Sequence, residues 1–456
     1  DAQSLWLGAG ARILAQGYYR TRPTNNGLIA GELFEGGSID ISAGRGYLVL
    51  EQGSVLDVSG VAGPTDLLTA TGYQRVMLAG AGGLISLAAR EGLLAEGDLL
   101  ATAGGAGAAG GELRVALNGS ETPAPNIYPT NDRRFVLAKA RSNLAPLLKR
   151  GASIPLAGYN GLGWLGADQV VKGGFDRLSL TAALARTSKT TSKDRIELEG
   201  GLNLSLAAAL SLQAPIIALT GVGDAVLKSA YINLGRRPES NIFDTSYLVR
   251  GSNRIDFFAD WIDLNGSFGG GIGVSGASTV ALNSRLDIRG YGSSSLSGDS
   301  AGVTTPADME LVARQIYPAS NSSLSFTVAG EDLPGQAPIT GTITVASSGE
   351  APVPIFSAGG TLALTADRIE LNELKTKDAK GVVTLKAPGV LKAPVGSITL
   401  TAKDAIVLAD KSLLSTSSEG LPIPYGTTGV SGWEAPATSS GTGGIDLPPE
   451  KRIVLK

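Results

Sequence analysis

The sequence predicts an all-β fold, a right-handed parallel β-helix (solenoid) with loop and subdomain insertions. Three observations carry that expectation: apolar and polar residues alternate with a period of two, glycine is unusually frequent, and one unit recurs along the chain. The unit is clearest in "GGSIDISAGRGYLVLEQGSVLDVSG" (36–60), where Ile39 and Ile41 flank Asp40 and Leu48 and Leu50 flank Val49. Val55 and Val58 then bracket Leu56 and Asp57. A period of two puts alternate side chains on one buried face of an extended strand. Glycine supplies 63 of 456 residues, about twice its usual share. With no collagen-like spacing it implies frequent turns, where glycine takes positive φ without steric cost.

The same unit returns as "GGLISLAAREGLLAEGDLLATAGG" (82–105) and begins again at "GGELRVAL" (110–117). Related pieces follow: "DRIELEGGLNLSLAA" (194–208), "SNRIDFFADWIDLNGSFGG" (252–270), "STVALNSRLDIRGYG" (278–292), "GTLALTADRIEL" (360–371) and "GSITLTAKDAIVLADKSLL" (396–414). Gly36 to Gly82 is 46 residues and Gly82 to Gly110 is 28, so insertions separate the units. A coil of this kind cannot bury its inner face alone; stacking on neighbours at ~4.8 Å does so. Roughly 13–16 coils would make a rod of about 60–80 Å. An antiparallel sandwich or a propeller would call for more aromatic anchors and regular hairpin dipeptides.

We expect coils over 1–117, a proline-rich and basic insertion over 118–175, and coils over 176–292 with an irregular stretch at 222–253. An inserted β subdomain over 293–359, coils over 360–416, and a loop-rich end with a last strand over 417–456 complete the scheme. Within the first insertion, Asp132 faces Arg133, Arg134, Lys139, Arg141, Lys149 and Arg150, a local charge of +5. That stretch is either a patch for acidic glycans or lipopolysaccharide or a solvated loop or short helix, the second being the ordinary case.

Net charge is −3, which gives no field to draw nucleic acid. Histidine and cysteine are absent. The usual zinc, haem, iron–sulfur and Ser-His or Cys-His chemistries are therefore excluded, and a metal would need oxygen ligands alone. The uncharged stretch from Gly200 to Gly223 is long enough for a spanning helix. Leu202, Leu204 and Leu206 alternate with Asn203 and Ser205, however, and Pro215 interrupts it. Buried strands are the better reading. "DAQSLWLGAGARIL" lacks the basic start and apolar run of a signal peptide.

Tempting motifs dissolve on inspection. G-x-G-x-x-G occurs at Gly161-Gly163-Gly166 and at Gly271-Gly273-Gly276, but at this glycine content chance supplies about one match, and no helical pattern follows either. Asp256, Asp260 and Asp263 sit close together, as carboxylates do on β-helix enzymes that cut acidic polysaccharides. Yet Asp256 and Asp263 alternate outward like Asp40, Asp57 and Asp287, the usual solvated face of a strand. Asn-x-Ser occurs at Asn118, Asn203, Asn265 and Asn321, and Asn203 falls in an expected strand, so the motif arises cheaply.

The coil at 36–60 resembles the repeats of filamentous-haemagglutinin-like large exoproteins, a two-partner secretion family. "ARQIYPASNSSLSFTVAG" (313–330), "GGTLALTADRIEL" (359–371), "PYGTTGVSGWEAP" (424–436) and "LPPEKRIVLK" (447–456) add to the likeness. It covers most of 36–117 and 308–456 and is thin over 118–250. The resemblance implies a secreted, extracellular bacterial surface fibre or adhesin, or a biofilm component, built as a long right-handed β-helix. It also implies export through an outer-membrane β-barrel partner. "TNNGLIAG" (24–31) is a poor match to the Asn-Pro-Asn signatures of the family's secretion domain, so a central or mature piece of a longer exoprotein is expected. The family has no catalytic residues to carry over; no catalytic, cofactor or metal residue is nominated. Host or matrix glycans or proteins, and end-to-end copies of the chain, are the expected partners. The alternative is a β-helix polysaccharide lyase or hydrolase using outward carboxylates.

Overall fold

Alternating sequences of this kind form strands whose backbone groups must find partners on neighbouring strands, and in the computed structural model most of the described strands pair in parallel, the antiparallel pairs being chiefly local hairpins. The structure describes residues 4–120, 132–148, 150, 154, 156–185, 191–235, 243–268, 271–292, 299–328, 340–377, 382–423, 427–429, 432–434 and 451–456. The described chain is almost all β and solenoid-like, with only short helical turns such as Ala167–Lys172. No helix among the described residues is long and apolar enough to cross a membrane. Two compact units divide it: 1–184 with 203–211, and 185–202 with 212–456.

In the first unit the repeated sequence is a turn of three strands. Ser38–Ala43, Tyr47–Leu50 and Val55–Asp57 make one turn; Leu84–Ala89, Gly92–Ala95 and Asp98–Leu100 make the next. Each strand pairs in parallel and in register with its counterpart, Ile39 beside Ile85 and Leu48 beside Leu93. The 46-residue spacing has a simple cause. Ala62–Thr69 and Gly72–Ala79 form an antiparallel hairpin inserted between turns, and a second hairpin, Tyr18–Pro23 with Ile29–Phe34, leaves the preceding turn at the same corner. Stacked alike, the hairpins bond to each other: Ile29 N donates to Asp66 Oδ2 at 2.7 Å and Gly31 N to Thr65 Oγ1 at 3.3 Å.

The glycine doublets turn out to serve close approach rather than positive φ. A Cβ on Gly83 would stand 1.9 Å from the Gly37 carbonyl oxygen, and one on Gly111 would stand 2.3 Å from that of Gly83. The left-handed positions in the unit are Gly46 and Gly53, at φ 85° and 90°.

The second unit carries three parallel ladders. One runs through Tyr231–Gly235, Trp261–Asn265, Asp287–Tyr291, Gln315–Pro318, Val390–Lys392 and Leu413–Ser415. A second includes Asn253–Ala259, Ala277–Ser284, Asp308–Ala313 and Thr342–Ser347. A third includes Ile272–Ser275, Asp299–Thr305, Ser323–Val328 and the first halves of Thr361–Leu371 and Ser397–Leu408. Inward positions stack like on like: Ile232, Ile262, Ile288, Ile316 and Leu391 occupy successive strands, all fully buried. Each such side chain contributes about 1.5–3 kcal/mol of burial.

Two expected interruptions are therefore more regular than the sequence suggests. The stretch 222–253 contains the ladder strands Ala225–Lys228 and Tyr231–Gly235, and among its described residues 243–250 leave the pattern, burying Phe243 and Leu248 on Ile216 and Ala218. The expected subdomain over 293–359 is not separate, since its described strands continue the ladders. Its serine-rich surface hid inward residues such as Leu324 and Phe326. In the first insertion, Leu162–Gly166 lies between Gly92–Ala95 and Arg134–Ala138, parallel to both.

Candidate interaction face

On the first ladder of the second unit, alternation points Ile262 and Leu264 inward and Asp263 outward. Asp263 is nevertheless only 5% exposed. Arg289, one turn on, grips it bidentately at 2.7 and 2.9 Å, and the Tyr231 hydroxyl donates to it at 2.8 Å from the turn before. Asp287, 1% exposed, repeats the arrangement: Arg314 holds it at 2.7 and 2.9 Å and the Tyr317 hydroxyl donates at 3.2 Å. The Arg289 guanidinium also lies 4.5 Å from the Trp261 ring and 5.5 Å from that of Tyr291. Asn265 completes the row by donating to the Asn233 side chain.

Burial raises the phenol pKa values of Tyr231 and Tyr317, and the adjacent carboxylates raise them further. Burial works against the Arg289 cation, but the Asp263 bonds outweigh it and hold the guanidinium above its ordinary value. The face thus balances two carboxylates with two guanidiniums and adds aromatic edges, of which Tyr291 is 37% exposed. It can offer stacking and hydrogen bonds without net charge.

This corrects the solvated-face reading for Asp263 and Asp287, whose partners come from neighbouring turns. Asp57 in the first unit is buried too, accepting from Gln16 Nε2 at 2.5 Å and Ser59 N at 2.8 Å. Asp40 stays exposed, and Asp260 makes an open pair with Arg285 at 2.7 Å. Asp256 is drawn into a different group, on the second ladder. Arg254 donates to Asp256 at 2.8 Å and to both oxygens of Glu310, which stands two strands away across Ala281. Burial raises the Asp256 pKa, with Arg254 opposing. Nothing in the sequence singled out Glu310, because only the register brings it there.

In the first unit the basic stretch is largely neutralised. Arg150 bonds Glu51 at 2.9 and 3.1 Å, Arg141 pairs with Asp98 at 2.9 Å, and Arg133 is 2% exposed; Lys149 lies outside the described residues. The segment covers the outer face of a ladder, burying Ala145 and Ile154 on Tyr47 and Val49. Its described residues include the short helical turns Ala145–Leu147 and Leu156–Tyr159, as the ordinary reading allowed, but Tyr47 and Val49 give the segment an apolar floor instead of leaving it solvated. Glu96, fully buried, accepts from Ser142 Oγ, Leu144 N and Ala145 N.

The first glycine motif is in fact followed by a helix, Ala167–Lys172, but its glycines are spent on packing. A Cβ on Gly163 would stand 2.4 Å from the Phe135 ring, and one on Gly166 would stand 2.3 Å from Arg141 N. In the second motif, Gly273 lies under Phe243 and Leu248. Among the Asn-x-Ser positions, Asn203 is an exposed strand residue, Asn265 is bonded in the ladder and Asn321 sits in a turn at φ 54°. The Asn118 side chain is outside the described set. Among the described residues no three potential ligands converge as at a metal site. Compared with known proteins, the chain matches no family model, no curated protein and no solved structure.

Proposed function

We propose that the chain is part of a secreted bacterial surface fibre or adhesin, a right-handed parallel β-helix that mediates attachment or builds extracellular filaments or biofilm matrix. The observation that carries this reading is the stacking of three-strand turns in register, with the same inward residue types repeated from turn to turn. Such stacking makes a core that depends only on nearest neighbours, so outer faces and hairpins can vary while the scaffold persists. The sequence resemblance supplies the rest: export through an outer-membrane β-barrel partner, and a host or matrix glycan or protein as ligand, for which the Trp261–Tyr291 face offers aromatic stacking. End-to-end association belongs to the same reading, because an open strand edge templates pairing with another copy.

Display of the chain on cells that lack adhesins tests the function. Attachment to glycan- or matrix-coated surfaces is expected to rise, and Trp261→Ala is expected to reduce it. No gain on any surface would count against adhesion.

One observation favours a second reading, a polysaccharide lyase or hydrolase. Asp256 and Glu310 flank Arg254 with backbones about 9–10 Å apart, two strand spacings. Depolymerisation of an acidic polysaccharide that disappears in Glu310→Gln would establish it. The bonds of both carboxylates to one arginine instead favour a structural ion cluster.

A further inference from the structure

The outer face of the first unit holds a buried polar cluster that the ladder bonds do not satisfy. The Tyr47 ring packs against Gly92, where a Cβ would stand 2.6 Å from Tyr47 Cδ1 and 3.0 Å from the Tyr159 carbonyl oxygen. Gly92 pairs with Tyr47 on one side and with Leu162 on the other, and Tyr159, the residue before Asn160, packs in the same apolar cluster as Tyr47. Gly161 N donates to the Glu91 carbonyl at 2.6 Å, and a Cβ on Gly161 would stand 3.6 Å from an Arg133 guanidinium nitrogen. Glu91 and Arg133 both act on the Tyr47 hydroxyl electrostatically, and Asn160 lies in the chain between Tyr159 and Gly161, whose backbones reach Gly92 and Glu91.

Tyr47 is 6% exposed, and no protein group hydrogen-bonds its hydroxyl. The Asn160 oxygen and nitrogen are both shielded from solvent, and no protein group hydrogen-bonds either. A buried hydroxyl and both ends of a buried carboxamide call for partners. The partner must be small and must both donate and accept. It need carry no charge, since Glu91 is already paired with Arg90 at 3.5 Å and Arg133 lies alongside.

We propose that Tyr47 and Asn160 bind internal water, forming a hydrated joint that fastens residues 156–166 to the outer face of the Tyr47–Leu50 and Gly92–Ala95 ladder. Shared water of this kind couples its ligands, because losing either one loses the bridge.

The test uses the whole chain: urea midpoints of Tyr47→Phe, Asn160→Ala and the double variant, with a high-resolution crystal structure of the unmutated protein. Each single change is expected to lower the midpoint, and the double to lower it no further than the larger single. Density for water is expected at about 2.7–3.2 Å from Tyr47 Oη and from an Asn160 side-chain atom. Additive midpoints, or a Tyr47 hydroxyl bonded directly to Glu91 or Asn160 with no water between, overturn the proposal. Should a variant fail to fold, the crystal structure decides alone.

Discussion

An outward aspartate on a solenoid turn is not a solvated aspartate when the next turn supplies an arginine. Asp263 and Asp40 occupy equivalent outward positions by alternation, yet one is caged by Arg289 and Tyr231 and the other is exposed. Removing one partner of a buried pair strands the other's charge. Asp263→Ala is therefore expected to cost about 2–4 kcal/mol, whereas Asp40→Ala should stay within about 0.5 kcal/mol; urea denaturation of the two variants checks both. Equal costs would sink the distinction. The buried phenols give a pH signature. Burial, with Glu91 adding and Arg133 opposing, pushes Tyr47 up to about 12, against an ordinary value near 10. A folded-state pKa above the unfolded one stabilises the fold fully below about pH 10, and that stability is lost as pH climbs through the folded value. Tyr231 and Tyr317 shift in the same direction. Ultraviolet titration is expected to show a delayed tyrosine class that ionises with alkaline unfolding; a single ordinary class would contradict the burial.

At the level of the turn, the sequence was readable wherever one strand sufficed. Alternation alone located Ile39, Leu48 and Leu50, all buried, but Ile41 is only half-buried and Val49, between the two leucines, is buried as well. It could not locate the cages, because Arg289 lies 26 residues from Asp263 and Glu310 lies 56 from Arg254. Spacing that varies with inserted hairpins hides that register. The glycine doublets were visible but misassigned: they mark where backbones of successive turns nearly touch. Gly83→Ala is accordingly expected to destabilise the first unit by more than the ~1 kcal/mol of a helix or strand propensity change, since its Cβ would meet the Gly37 carbonyl oxygen at 1.9 Å. Gly44→Ala, with open space around it, is the control. Thermal melts that fail to separate the two would show that the doublets are not needed for stacking.

For the molecule as a whole, repetition carries the functional reading and the interruptions decorate it. Two hairpins from one corner, and a segment laid over the outside of a ladder, add surface without breaking the turns beneath them. The proposed function rests on such turns building a β-helical surface fibre. Negative-stain electron microscopy of the purified chain at low concentration tests it most directly. The account predicts narrow, uniform rods about 60–80 Å long, or filaments many times that length if copies join end to end. Compact particles without a long axis would contradict it.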